Sequence, residues 1–173
     1  VANPEQKGTL VDQIKAAKDM IKGRVYKYRV FVRWDTDVGL ISTILRAPVL
    51  SIIRVAALPV PNQKISVEAI TQGGSNPQGL IFVSGQGVSK SEQMDAVEPL
   101  VSGAFTNVDT ALRGAGTAPE NVVAMTCYLS SIADYEAVQK LAASPYPQAA
   151  INHLQIPIPY GRALVECEAV ARA

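Results

Sequence analysis

The organisation of the chain is decided by the segment VVAMTCYL at residues 122–129. Its β-branched and aromatic residues are typical of a strand. A segment of the same character, VYKYRVFV, lies 97 positions earlier at residues 25–32. Further pairs recur in the same order. The offset is 97 for Val11-Asp12 with Val108-Asp109 and for Asp37 with Asp134. It is 99 for Pro48 with Pro147 and Ile52 with Ile151, and 100 for residues 65–70 with 165–170. A repeat of this kind predicts two tandem units, a partial one at residues 1–70 and a complete one at 71–173.

Each unit follows the order helix, strand, short helix, strand, strand. Apolar residues at helical spacing mark the long helix of each unit, as in Val101, Phe105, Val108 and Leu112. The second unit has an additional opening strand at residues 78–86, for which the first unit has no counterpart.

The composition excludes several classes of protein. The 173 residues carry 16 basic and 15 acidic side chains, and a net charge of +1 gives no reason to expect nucleic acid as a partner. One histidine, His153, and two cysteines cannot form an ordinary zinc site, so we expect no metal. Cys127 and Cys167 are 40 positions apart without C-x-x-C spacing, and suggest neither a redox pair nor a disulfide framework.

An apolar stretch at residues 39–60 could at first be taken for a membrane span. It contains Arg46, Arg54 and two prolines, and charges near the centre of a span are unfavourable. We therefore expect strands there and no membrane contact. Because only 18% of the residues are charged, below the roughly 25% of an average domain, some apolar surface is expected to meet another subunit.

The second unit resembles the Rid family, the small YjgF-like reactive-intermediate deaminases. The resemblance lies in five stretches in the right order: GLIFVSGQ at 79–86, FTNV at 105–108, GAG at 114–116, NVVAMTCYL at 121–129 and VECEAVA at 165–171. The first unit is similar to the latter half of the same domain. The resemblance implies an α+β fold of the chorismate-mutase-like kind, in which a mixed sheet packs its helices on one face. The sheets of several subunits would form a barrel-like trimeric ring with clefts between the units.

Rid proteins hydrolyse enamines and imines to a keto acid and ammonia without metal or cofactor. The resemblance implies a divergent member, an enzyme acting on C=N bonds or a protein binding a small molecule. The arginine that anchors the substrate carboxylate in the family falls on Ala149 here and on Leu50 in the first unit. The glutamate of the last strand is matched by Glu166, and the asparagine of the short helix by Gln139. The alternative is a catalytically inactive subunit with a structural role in an oligomer.

Each candidate residue also has a simpler interpretation. Glu166 alternates with apolar neighbours, as on the solvated face of a strand. Ser84, Gly85 and Gln86 either line a ligand cleft or only form a turn after a strand. Arg162 either replaces the missing cation or lies in solvent. Cys127 and His153 are expected to be structural. We expect a cytoplasmic homo-oligomer, although a chain that begins at Val1 leaves a processed or exported form open.

Overall fold

The computed structural model of the chain describes residues 8–33, 35–90, 96–156 and 163–173. They divide into two compact units, Val1–Ser75 and Asn76–Ala173. The boundary predicted from the sequence, between residues 70 and 71, lies a few residues earlier. Both units combine helices with a mixed sheet, so the α+β class is confirmed.

The described residues of unit 1 form two helices and three strands. They are α1 (Leu10–Met20), β1 (Val25–Arg33), α2 (Gly39–Ile44), β2 (Val49–Val55) and β3 (Ile65–Thr71). The sheet order is β2-β1-β3, with β1 parallel to β2 and antiparallel to β3. A capping box begins α1, because Thr9 accepts a hydrogen bond from the Asp12 amide while the Asp12 carboxylate accepts one from the Thr9 amide.

Both helices of unit 1 contribute to one apolar core with the sheet. Alternate residues of β1 and β3 point into this core because successive side chains of a strand alternate between its faces. Its buried members are Ile14 and Ala17 of α1, Ile41 of α2, Leu45 after it, Tyr28, Val30 and Val32 of β1, and Ile65 and Val67 of β3.

Unit 2 contains two helices and four strands in its described residues. They are β4 (Leu80–Lys90), α3 (Glu98–Gly114), β5 (Val122–Leu129), α4 (Tyr135–Ala142), β6 (Ala150–Gln155) and β7 (Ala163–Arg172). The sheet order is β4-β7-β5-β6; β5 is parallel to β6, and β7 is antiparallel to both β4 and β5.

The core of unit 2 lies between the sheet and its two helices. It includes Leu100, Val101, Ala104, Phe105, Val108 and Leu112 of α3, Val138 and Ala142 of α4, and Val165, Cys167, Ala169 and Ala171 of β7. The odd-numbered residues of β7 therefore face the helices. Glu166 and Glu168 are consequently on the opposite face of the sheet.

The two cysteines form a disulfide, contrary to the sequence-based expectation. Cys127 of β5 and Cys167 of β7 are directly opposite each other in the antiparallel ladder, with an S–S distance of 2.08 Å and no exposed surface. Opposite positions on neighbouring strands bring two Cβ atoms close together. A separation of 40 residues along the chain carries no information about this pairing, which is why spacing alone did not reveal it.

The two sheets share their strand order, since β6-β5-β7 repeats the arrangement β2-β1-β3. The ladder of β1 with β3 has an irregularity between Val25 and Lys27, and that of β5 with β7 has one between Val122 and Ala124, 97 residues later.

The offset predicted for β2 and β6 needs a correction. Val30 is opposite Ile52 and Cys127 is opposite His153, so the ladders relate these strands by 101 residues rather than 99. The offset grows from 97 between β1 and β5 to 101 between β2 and β6 because the intervening segment is longer in unit 2. There α4 has eight residues where α2 has six, and the turn after α4 is longer than the turn after α2.

Within the described part of the chain, none of the helices has the length and apolar character that a bilayer crossing requires.

Candidate functional site

Glu166 lies in the middle of the unit 2 sheet, on the face away from the helices. In the two ladders of β7 it is opposite Gly87 of β4 and Tyr128 of β5. Its side chain is partly buried. The carboxyl group is therefore held on a central strand, where the backbone on both sides is fixed by sheet hydrogen bonds.

Two glycines of β4 make room for this side chain. A Cβ atom at Gly85 would collide with the Glu166 carboxylate, and one at Gly87 would lie 3.3 Å from the Glu166 Cβ. The ladder of β4 with β7 is irregular between Val83 and Gln86. A glycine in a strand commonly marks such an irregularity, or a place where another group comes close to the backbone. We call Gly85 and Gly87 the glycine cradle of Glu166.

The surroundings of Glu166 favour its neutral form. Burial, followed by the negative charge of Glu168, raises the pKa of Glu166 to about 7. Within the described residues, no ion pair joins Glu166 to a lysine or arginine that would offset this effect. At neutral pH both the acid and the carboxylate are consequently populated, which suits a group that donates and accepts a proton.

Ser84 and Gln86 flank the cradle and are joined by hydrogen bonds. The Gln86 side-chain amide donates to the Ser84 carbonyl oxygen at 3.3 Å and to the Ser84 hydroxyl at 3.1 Å. Gln86 is opposite Cys167, a residue of the helix-facing core, and therefore lies on that side of the sheet. Gly85 adjoins Glu166, whereas the Gln86 amide bonds Ser84 and supports the irregular backbone of β4.

Two residues that sequence analysis missed lie beside Glu166. The Tyr128 hydroxyl donates to the Glu168 carboxylate at 3.4 Å, and both side chains are almost fully buried. The available signal was the pattern Glu-x-Glu at residues 166–168, which places two acids on one face of a strand. Beyond burial, the negative charge of Glu168 adds to the raised pKa of Glu166.

The other predicted site residues are not brought to Glu166 within this unit. Gln139 is exposed on α4, a helix that packs against the opposite face of the sheet. Arg162 lies outside the described residues. The structure therefore places Gly85 against Glu166 and puts Gln139 on the other side of the sheet.

The two positions at which the resemblance places an anchoring arginine are occupied by apolar packing. Ala149 packs against the core of unit 2, and Leu50 packs against the core of unit 1. Neither offers a charge to a carboxylate.

His153 has a structural environment. Its ring lies 5.9 Å from that of Tyr135 in an edge-to-face contact, and burial lowers its pKa, which keeps the imidazole neutral. In the part of the chain that is described, no three His, Cys, Asp or Glu side chains are grouped so as to hold a metal ion.

Several solved structures resemble the chain. They include Rv2704 of Mycobacterium tuberculosis, of the YjgF/YER057c/UK114 family (23% identity, TM-score 0.46, covering 55% of this chain and 80% of the other). Another is the Rid protein YyfA of Yersinia pestis (23%, 0.46, 60% and 91%). A third is RidA of an Antarctic Psychrobacter species (20%, 0.44, 60% and 92%). No curated protein sequence matches the chain significantly.

The family assignment comes from the sequence of unit 2. The family model described as Endoribonuclease L-PSP matches residues 71–173, which is more than half of the chain. This range includes the glycine cradle and Glu166. The chain belongs to the Endoribonuclease L-PSP family, that of the YjgF and Rid proteins.

Proposed function

We propose that unit 2 hydrolyses small imines or enamines without a cofactor, with Glu166 as the acid–base group. The observation that carries this proposal is the partly buried Glu166 carboxyl on its glycine cradle, with a pKa of about 7. The family resemblance supplies the reaction class, and the chemistry of this carboxyl fits it.

The reaction needs one group that can exchange protons in both directions. Protonated Glu166 donates to the imine nitrogen, or to the terminal carbon of an enamine, which converts the enamine to an iminium ion. Water then adds to the carbon of the C=N bond, and the Glu166 carboxylate accepts the proton released. The C–N bond of the resulting carbinolamine breaks, giving one carbonyl compound and one ammonia for each imine and water consumed. A carboxyl with a pKa near the working pH serves both proton transfers.

The choice of substrate follows from the missing arginine. A charge-assisted hydrogen bond to a carboxylate contributes roughly 1.5–3 kcal/mol. Ala149 and Leu50 cannot supply it, so we propose that the substrate carboxylate matters less here than in relatives with the arginine. Gln139, on the other side of the sheet, would contribute only to a cleft completed by another copy of the chain.

The decisive assay follows keto-acid and ammonia release from freshly generated 2-iminopropionate. We expect Glu166→Gln to lower the rate by about 100-fold, the lower range for loss of a general acid–base group. Glu136→Gln is the matched control, because Glu136 is exposed on α4. A wild-type rate equal to the uncatalysed rate would contradict the proposal.

We also propose that the two units are copies of one module. We further propose that copies of the chain assemble into a barrel-like trimeric ring. The shared strand order and the irregularities 97 residues apart support the duplication. The low charge content of 18% supports the assembly. Light scattering after gel filtration at several concentrations tests it, and a monomer at every concentration would contradict it.

The second candidate function is that of an inactive subunit in such an assembly. It is favoured by the apolar packing of Ala149 and Leu50 where the family resemblance expects a substrate anchor. Activity on 2-iminopropionate separates the two. RNA cleavage, the activity in the family's printed name, is less favoured because a net charge of +1 provides little attraction for phosphates.

A cytoplasmic location remains a proposal, and the disulfide bears on it. Disulfides persist mainly in oxidising compartments. The buried Cys127–Cys167 bond therefore favours an oxidising compartment over the cytoplasmic location expected from the sequence. Fractionation of cells that produce the protein would decide between the two locations.

A further inference from the structure

Unit 1 contains a cavity of about 340 Å³ at one end of its sheet. One wall is the segment that follows β1, and the other is the connection that leads into β3. The cavity is lined by two acids, Asp35 and Asp37, two bases, Arg33 and Lys64, and two amides, Asn62 and Gln63. This volume is at the lower end of the range for small-molecule sites.

The wall before β3 is fixed by a buried glutamine of α1. The Gln13 amide donates to the Asn62 carbonyl oxygen at 3.3 Å, and its carbonyl oxygen accepts from the Lys64 amide at 2.8 Å. Gln13 is only 1% exposed, and a buried polar side chain is unfavourable unless it is hydrogen-bonded. Its apparent role is to hold residues 62–64 in one conformation.

Two further features define this wall. The Gln63 side-chain amide, also buried, donates to the Ile65 carbonyl oxygen at 2.9 Å. Asn62 has a φ of 65°, a left-handed conformation that asparagine tolerates better than most residues. Across the cavity, the Arg54 guanidinium donates to the Thr36 carbonyl oxygen at 3.1 Å. Both walls are therefore held before any ligand arrives.

The charges around the cavity are of both signs. Arg33 and Asp35 form an exposed ion pair, with 3.5 Å between Nε and Oδ1 and 3.5 Å between a terminal guanidinium nitrogen and Oδ2. Asp37 accepts a hydrogen bond from the Gly39 amide at 2.9 Å. Lys64 makes no ion pair with any residue that the structure describes. Because Arg33 and Asp35 already pair with each other, a ligand carrying a single charge would leave either Lys64 or Asp37 without an oppositely charged partner.

We propose that this cavity binds a small zwitterion, an α-amino acid with a short side chain. Lys64 and Arg33 bind its carboxylate, while Asp35 and Asp37 bind its ammonium group. The site is separate from Glu166 and does not depend on catalysis in unit 2. Because ion pairs at exposed positions are individually weak, we expect a Kd on the order of 1 mM.

The experiment is isothermal titration calorimetry of the full chain with L-alanine as the probe. Wild-type protein and Glu166→Gln should bind it equally, and Lys64→Met should bind it about fivefold more weakly. Lys140→Met, an exposed position of α4 in unit 2, is the matched control and should bind as wild type does. Propionate and ethylammonium, each with one of the two charges, should bind several-fold more weakly than L-alanine.

Three results would overturn the proposal. The first is no saturable heat with L-alanine up to about 50 mM, well above the expected Kd. The second is binding that Lys64→Met leaves unchanged, or that propionate matches. The third is loss of binding in Glu166→Gln, since the probe would then occupy the other site.

Discussion

Replacing Glu166 with glutamine should make the stability of the protein less dependent on pH. In the wild type the pKa of Glu166 rises from 4.5 in the unfolded chain to about 7 in the folded one. Below pH 4.5 both states hold the proton, and the folded state has its full stability with respect to this group. Between pH 4.5 and pH 7 the unfolded chain releases the proton while the folded chain keeps it, so the free energy of unfolding falls as the pH rises. Above pH 7 this decrease in the free energy of unfolding is complete.

The size of the effect follows from the shift. One pKa unit corresponds to about 1.4 kcal/mol, so the full shift would amount to about 3 kcal/mol. Because the carboxyl is only partly buried, solvent reduces this figure, and we expect about 2 kcal/mol. Glutamine has no such ionisation. The free energy of unfolding of Glu166→Gln should therefore rise by about 2 kcal/mol relative to the wild type between pH 5 and pH 8.

Urea unfolding followed by circular dichroism at pH 5, 6, 7 and 8 measures this difference. Glu136→Gln serves as the control, because it makes the same substitution at an exposed position of α4. If the difference between Glu166→Gln and the wild type is the same at pH 5 and pH 8, Glu166 ionises as it would in water and the reasoning is refuted.

Three further predictions follow from the geometry. Gly85→Ala should destabilise unit 2 by about 1–3 kcal/mol in thermal unfolding, because the new methyl group collides with the Glu166 carboxylate. The loss should be clearly smaller when Glu166→Ala is also present, and equal losses in both backgrounds would contradict the glycine cradle. The chain should show no reactive thiol before reduction, and free thiols in the unreduced protein would contradict the disulfide. Cys127→Ala should lower the free energy of unfolding by about 2–4 kcal/mol. Gln13→Ala should lower the free energy of unfolding in urea by about 1–3 kcal/mol, because it removes both hydrogen bonds to residues 62–64. Gln139→Ala, at an exposed position, should change it little. Equal effects of the two substitutions would contradict the proposed role of Gln13.

Much of the fold could be predicted because strand and helix patterns are local. The β-branched and aromatic residues at 122–129 became β5, and the helical spacing of Val101, Phe105, Val108 and Leu112 became the buried face of α3. The opening strand of unit 2 became β4. Alternation in the last strand was enough to separate Glu166 from the core residues on either side of it.

What could not be predicted depends on how strands are paired. The disulfide requires Cys127 to be opposite Cys167, and the glycine cradle requires Gly87 to be opposite Glu166. Register of this kind is set by turns and packing rather than by residue types. The offset of β2 and β6 was wrong for the same reason. It was taken from Pro48 with Pro147 and Ile52 with Ile151, whereas the ladders make Ile52 equivalent to His153.

The cavity of unit 1 was missed because its two walls are distant in sequence. Arg33, Asp35 and Asp37 follow one strand, and Lys64 precedes another. The hydrogen bonds of Gln13 and Gln63 show that the second wall is held in place.

The most direct test of the account is the pH dependence of kcat/KM for 2-iminopropionate hydrolysis. We predict an ionisation with an apparent pKa near 7 in the wild type, and a low rate in Glu166→Gln that lacks this ionisation. A wild-type profile that is flat between pH 6 and pH 8, or a Glu166→Gln variant as active as the wild type, would contradict the central role of this carboxyl.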